Sequence, residues 1–355
     1  MTQLRSGMRR MDIAVVGGGP AGAICALTLA RGGVPVGLVH WDGYAPDGVE
    51  LVSGHARRMI EQFCPDFFQR VSGVEIHETI SLWGTPEPVT FNAMFNPWGA
   101  GVALERSILD HGLRDLARAA GVSIALDTKV VSAERKDGNW QLLVREGNAG
   151  THLLSARFLI VATGRVAASI AGCPPVAESP QIALMTQLSA ESDINSPQGH
   201  TLYLEAVDNG WWYALPTPDG GYFTVFCTDR DEVKKRRTTL REFLIQEMRR
   251  THLLGPLLSS AAGNSRISGR TAGARGFGGA AGDGWIAVGD AACAPDPLSG
   301  MGIELAIQSA RLGADAVLEV MEGRSASVKF AEYEDEIRKG ASRSGQTAAY
   351  HYGRL

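Results

Sequence analysis

Residues 17–22 of this 355-residue chain read Gly-Gly-Gly-Pro-Ala-Gly, a run whose only side chains are a ring and a methyl group. Such a run supplies no nucleophile and no metal ligand. It can bring main-chain N–H groups close to an anion. Gly17 allows a tight turn, Gly19 lets the backbone approach a pyrophosphate, and Gly22 lets a helix and a strand pack closely. Pro20 and Ala21 complete the run, and the N-terminal N–H groups of the helix that follows then face the phosphates. Dinucleotide binding is the chemistry this composition suits.

The flanking residues supply the elements that must position such a loop. Residues 11–16 (MDIAVV) read as a buried strand, 23–31 as a helix ended by Gly32 and Gly33, and 34–39 as a second strand. Together they form one βαβ unit. The acid that normally holds the ribose is expected at the end of the second strand. His40, Trp41 and Asp42 stand there instead. His40 can hydrogen-bond a ribose hydroxyl, or Asp42 can reach back.

Composition narrows the class. The hydrophobic fraction is 45%, the charged fraction 20% and the formal net charge -4. These values are ordinary for a soluble globular protein and argue against a nucleic-acid footprint. Five scattered cysteines (Cys25, Cys64, Cys173, Cys227, Cys293) read as reduced thiols of a cytoplasmic protein. The eight histidines form no metal-binding spacing, so no metal site is expected. Arg5, Arg9 and Arg10 before an apolar run imitate a signal peptide, but the central glycines and Pro20 break the run, and no membrane span is expected.

Three later segments add to the fingerprint. Residues 157–165 (RFLIVATGR) read as a strand entering a Thr163-Gly164 turn. Residues 284–291 (GWIAVGDA) read as a strand ending at Gly289-Asp290. Residues 297–308 (PLSGMGIELAIQ) read as a glycine-rich turn opening a long helix. In this order the motifs resemble the FAD-dependent family built like p-hydroxybenzoate hydroxylase, which includes aromatic hydroxylases, tryptophan halogenases and geranylgeranyl reductases. The resemblance implies an α/β fold: a Rossmann-type FAD-binding domain with an inserted antiparallel-sheet substrate domain. It implies FAD as cofactor. Asp290 would bond the ribityl or pyrophosphate region, and Pro297, Gly300, Met301, Gly302 and Ile303 would lie against the isoalloxazine. N–H groups opening that helix would stabilise negative charge on the flavin. Arg106, at the start of a helix over 106–120, would contact FAD, and Val130 would lie by the adenine. NADPH-linked hydroxylases of the family often carry Asp-Gly where this chain has Thr163-Gly164. No second GxGxxG is present for a separate nicotinamide domain, which leaves NAD(P)H, a separate reductase or free reduced flavin as the expected electron donor.

The expected division is 11–50, 98–170 and 271–322 for FAD, 51–97 and 171–270 for substrate, and 323–355 as a C-terminal helical segment. Residues 181–189, 201–207, 211–216 and 222–227 read as antiparallel strands, with Asp219-Gly220 as a hairpin turn. Consecutive strand residues face opposite sides, so Trp211 and Tyr213 share one face and Trp212 takes the other. Trp83, Trp211 and Tyr213 are the candidate substrate-pocket residues, with ordinary core packing as the competing reading. In Lys234-Lys235-Arg236-Arg237, the spacing pairs Asp231 with Lys235 and Glu232 with Arg236 on a solvated helix.

The segments SLWG, FNPWGAGVALER and GWWYALPTPDG, with ELVSGHARR, resemble the halogenase-related branch. Within it they are most similar to flavoproteins that mature cysteine tryptophylquinone enzymes. Halogenases use WxWxIP and an active-site lysine. Tyr213 stands where the second Trp is expected, and no lysine occurs before Lys129. The resulting expectation is a monooxygenase that hydroxylates an aromatic ring, foremost a tryptophan side chain on the precursor of a quinone-cofactor oxidase or dehydrogenase, admitted through an open pocket. The alternatives are a hydroxylase or halogenase of a free aromatic metabolite, a geranylgeranyl reductase-like alkene reductase, and a non-enzymatic flavin-binding chaperone.

Overall fold

The computed structural model describes residues 10–44, 48–147, 150–165, 175–188, 197–236, 238–256 and 266–354. Arg5, Arg9, Cys173 and Ser189 lie outside them.

The apolar run of residues 11–16 forms the strand Arg10–Val16, in which Ile13, Ala14 and Val15 have no exposed surface. Four successive buried apolar residues, Ile13 to Val16, must be covered on both faces, as in parallel sheets. Strands Trp285–Ala287, Thr151–Val161, Arg10–Val16, Val36–Val39 and Ser123–Ala125 run parallel in that spatial order. Helix Pro20–Arg31 packs against helices Arg106–Ala119 and Gly302–Met321. It begins at Pro20 rather than at 23. Proline suits the first helical turn, where its missing N–H would have no partner.

A second sheet has seven strands in the order Ser268–Thr271, Gln181–Leu188, Tyr222–Asp229, Gly210–Pro216, Thr201–Val207, Glu78–Leu82 and Val89–Asn92. All neighbours are antiparallel except Thr201–Val207 with Glu78–Leu82. The turn at Asp219-Gly220 is closed by Thr217 N–H to the Gly221 carbonyl at 2.9 Å. The pleat places Trp212 against Phe226 on one face, ring centroids 4.7 Å apart, under helix Leu240–Arg249. Trp211 and Tyr213 lie on the other.

Residues 51–97, assigned by sequence to the substrate domain, divide between the two sheets. Val52, Ala56, Ile60, Cys64 and Phe67 pack into the core of the parallel sheet, because helix Gly54–Glu61 buries its apolar stripe against helix Gly302–Met321. The basic run also pairs differently. The helix ends at Lys234, so Lys234 meets Asp231 (3.1 Å) and Lys235 meets Glu232 (2.9 Å) at a spacing of three. Arg236 turns inward to Glu247 (3.2 Å) and over the Phe243 ring.

The C-terminal helix Ala326–Tyr352 lies along helix Gly302–Met321 and ends against the second sheet. Among the described residues, no helix is long and apolar enough to cross a membrane.

Candidate cofactor and substrate site

The loop at residues 17–19 is shaped by contacts that only glycine permits. Gly17 has φ +108°, and a Cβ there would lie 2.2 Å from the Ala162 carbonyl oxygen. A Cβ on Gly22 would lie 1.9 Å from the Gly17 carbonyl oxygen. Gly19 differs: a Cβ there would meet nothing closer than the Arg106 Nη2 atom at 3.7 Å. Gly17 and Gly22 are therefore held by the fold, whereas Gly19 borders open space. Its helix has no side-chain N-cap, so the first-turn N–H groups are open to an anion.

The glycine turn at residues 297–303 borders the same kind of space. No atom lies within 4 Å of a Cβ built on Gly300 or Gly302. Gly300 is left-handed (φ +63°), and the helix from Gly302 also lacks a side-chain cap at Met301. Ile303 is buried beneath it, and Pro297 opens the preceding turn. Beside the Gly17 turn, the Thr163 hydroxyl is buried without a hydrogen-bond partner, next to Gly164. An orphaned hydroxyl, two glycine cradles and two uncapped helix ends fit a bound dinucleotide.

Charged groups line the space. Arg106 bonds Asp110 through Nε (2.8 Å) and Glu50 through Nη1 (3.1 Å), and Arg165 lies 3.5 Å from Asp290. Burial raises the Glu50 carboxyl above its ordinary range, against the pull of Arg106. Burial likewise raises Asp290, opposed by Arg165 and Arg106. Burial alone would lower the Arg106 guanidinium, but Asp110 and Glu50 hold it more firmly protonated than usual.

His40 does not stand free for a ribose. Its Nδ1 accepts the Gly18 N–H at 3.1 Å, and its Nε2 lies 3.0 Å from Asp42. Both ring nitrogens are engaged, and Asp42 is the more exposed of the two groups. Lys129 sits over the Trp41 ring at 4.3 Å, and neighbouring Val130 packs half-buried on the core. Thr128 N–H donates to the His40 carbonyl, so this corner is held together by backbone.

Trp83, Trp211 and Tyr213 come together in one cluster with Leu298 of the glycine turn. Trp83 meets Trp211 edge-on at 6.1 Å, and Trp211 stacks on Tyr213 at 5.8 Å. Burial raises the Tyr213 phenol well above its ordinary range, and Glu50 adds to this. The aromatic face thus packs on the turn through Leu298 and on strand Val49–Val52 through Val49 and Leu51. The rings are less open than expected. Trp83 and Trp211 are 7% and 3% exposed. The Trp83 indole donates to the His351 carbonyl (2.8 Å) and that of Trp211 to the Tyr352 hydroxyl (3.3 Å). The end of the C-terminal helix covers them. An open cavity of about 410 Å³ adjoins, lined by Gln181, Val207, Trp211, Cys227 and Tyr352 among others.

Several contributors escaped the sequence reading. Arg114 is buried and donates to the Gly18 carbonyl at 3.0 Å. Arg106, Asp110 and Arg114 recur every four residues, a charged stripe on a helix that otherwise buries Leu109, Leu113 and Ala117. That spacing was the available signal. Arg165 ties two segments together, donating to the carbonyls of Gly273 (2.6 Å) and Ala272 (2.9 Å). Tyr352 accepts from Gln181 Nε2 (2.6 Å) and donates to Asp296 (3.3 Å).

The sequence pattern of the FAD dependent oxidoreductase family matches residues 12–210, more than half of the chain. The chain belongs to this family. Its cofactor is FAD, and it is an oxidoreductase. A protein of Marinomonas mediterranea bearing the name FAD-dependent oxidoreductase LodB is 24% identical over 332 residues, 85% of this chain and 83% of LodB. The myxobacterial chondrochloren halogenase CndH superposes with a TM-score of 0.88 at 22% identity, covering 97% of this chain and 83% of CndH. QhpG, a peptidyl tryptophan dihydroxylase essential for tryptophylquinone cofactor biogenesis, superposes with a TM-score of 0.80 at 24% identity, covering 97% of this chain and 75% of QhpG. These likenesses establish the Rossmann-type α/β fold that the motifs implied.

Proposed function

We propose that the protein is an FAD-dependent monooxygenase that hydroxylates an aromatic ring, foremost a tryptophan side chain on the precursor of a quinone-cofactor oxidase or dehydrogenase. The observation that carries this reading is the cluster of Trp83, Trp211 and Tyr213 against Leu298, which joins the aromatic face of the second sheet to the glycine turn. Bound FAD supplies the redox and oxygen chemistry. The chain's own groups bind, orient and exclude water. Residues 17–22, Thr163 and Arg106 are assigned to the nucleotide half, Asp290 to the ribityl or pyrophosphate region, and residues 297–303 to the isoalloxazine. The cavity beside Trp211, lined also by Gln181, Val207, Cys227 and Tyr352, is the space an incoming indole would enter, and aromatic pairs prefer offset or edge-on contact. The likeness to QhpG supports a substrate carried on a polypeptide. The electron donor on this reading is NAD(P)H or a separate reductase, and the compartment is the cytoplasm.

The test is co-expression with a precursor lacking its quinone, followed by mass spectrometry of that precursor. Gains in one-oxygen steps on a tryptophan are expected. Efficient hydroxylation of free tryptophan or another small aromatic would transfer the assignment to a metabolite hydroxylase. Anaerobic reduction of an isolated alkene, without oxygen uptake, would overturn the monooxygenase reading.

A further inference from the structure

Gly18 is gripped through both of its backbone polar groups. Its N–H is accepted by His40 Nδ1 at 3.1 Å, and its carbonyl receives Arg114 Nη1 at 3.0 Å. A Cβ on Gly18 would lie 3.0 Å from both His40 Cγ and Arg114 Cδ. These two side chains come from the end of strand Val36–Val39 and from helix Arg106–Ala119. They decide where the loop holds its remaining N–H groups. His40 is anchored in turn, its N–H donating to the Ala125 carbonyl and its own carbonyl accepting from Thr128.

We infer that His40 is a positioning residue for the cofactor's pyrophosphate, the acceptor that fixes the Gly18 peptide, and that FAD binding is therefore sensitive to acid. A carboxylate or carboxamide could accept this N–H over a wide pH range. An imidazole accepts only while Nδ1 carries no proton. In that state its hydrogen sits on Nε2 and points to Asp42 at 3.0 Å. Protonation would place a second hydrogen on Nδ1, facing the Gly18 N–H. Two donors would then meet, and a buried amide would lose its acceptor, a costly arrangement.

The groups facing the ring are Arg114, Asp42 and Asp110. Burial and then Arg114 lower its pKa below the ordinary 6.5, while Asp42 and Asp110 act against them. The neutral ring is thus the resident form near neutrality. Binding that needs the neutral form is complete above the pKa of the apoprotein's His40. It weakens as pH falls below that value, by up to about tenfold per pH unit.

The test is titration of apoprotein with FAD, followed by flavin fluorescence, from about pH 8 to about pH 5. His40→Gln keeps an acceptor that does not titrate, and His40→Leu removes it. The expected results are an acid-weakened Kd in the wild type, a flatter pH profile in His40→Gln relative to its own value near neutrality, and weak binding at all pH in His40→Leu. Glu50 and Asp290 also face the cofactor space, so the difference between wild type and His40→Gln is the quantity read. An acid profile in His40→Gln equal to that of the wild type overturns the inference. NMR titration of the His40 ring in wild-type protein checks it without a variant: a lower pKa with FAD bound than in apoprotein is expected, and equal values overturn it.

Discussion

Replacing Gly19 with alanine should separate cofactor binding from folding. Gly19 has φ -75° and ψ -172°, extended backbone open to any residue. The added methyl would find Arg106 Nη2 at 3.7 Å and Asp110 Oδ2 at 3.9 Å, ordinary contact distances. The folded apoprotein therefore loses nothing, and the unfolded chain loses freedom. A stabilisation of about 0.4–1 kcal/mol is expected. The same methyl projects into the space between the glycine loop and Arg106, which the phosphates need. An overpacked contact costs about 1–3 kcal/mol, which weakens FAD binding by about fivefold to about 150-fold. Valine should abolish binding. Gly22→Ala is the contrast, because its methyl would lie 1.9 Å from a backbone oxygen and the fold itself must shift. The assay pairs thermal melts of the apoproteins with fluorescence titration of FAD. Undiminished FAD affinity in Gly19→Ala would refute the placement of the pyrophosphate. So would a loss of apoprotein stability matching that of Gly22→Ala.

Other outcomes follow from the aromatic cluster and its cover. Trp211→Ala should cost about 3–5 kcal/mol of stability, since the ring is 3% exposed, and so is a poor probe of function. Trp211→Phe should keep the fold and FAD while lowering turnover; unchanged kcat/KM on the precursor would remove Trp211 from the substrate site. Tyr352→Phe deprives Gln181 and the Trp211 indole of their acceptor, and chemical denaturation should show a loss of about 1–3 kcal/mol. A stability equal to the wild type would mean that water replaces the hydroxyl. Chloride or bromide supplied with reduced flavin and tryptophan should yield no halogenated product, because no lysine precedes Lys129. Halotryptophan formed at catalytic turnover would contradict this.

What the amino-acid sequence determines by itself is the short-range part of this protein. The glycine run, the apolar strand before it and the helix after it are encoded within about twenty residues, where steric limits and side-chain period act directly. The same locality made the alternation of Trp211, Trp212 and Tyr213 legible, and the hairpin at Asp219-Gly220. Family membership follows from several such local motifs in order. Only tertiary structure could bring together groups remote in the chain. Arg114 reaches a carbonyl 96 positions away, and the Trp83 indole finds its acceptor 268 positions away. At His40 the strand-end position is visible in the sequence and the hydrogen-bond partner is not; the curl of the glycine loop brings the Gly18 N–H onto its ring. Trp83 and Trp211 looked like an open pocket because a strand's period says which residues share a face and nothing about what covers it. The C-terminal helix covers it here. Periodicity is a property of one element, whereas cover and hydrogen-bond partners depend on where other elements pack, which is set by burial of their apolar faces across the whole chain.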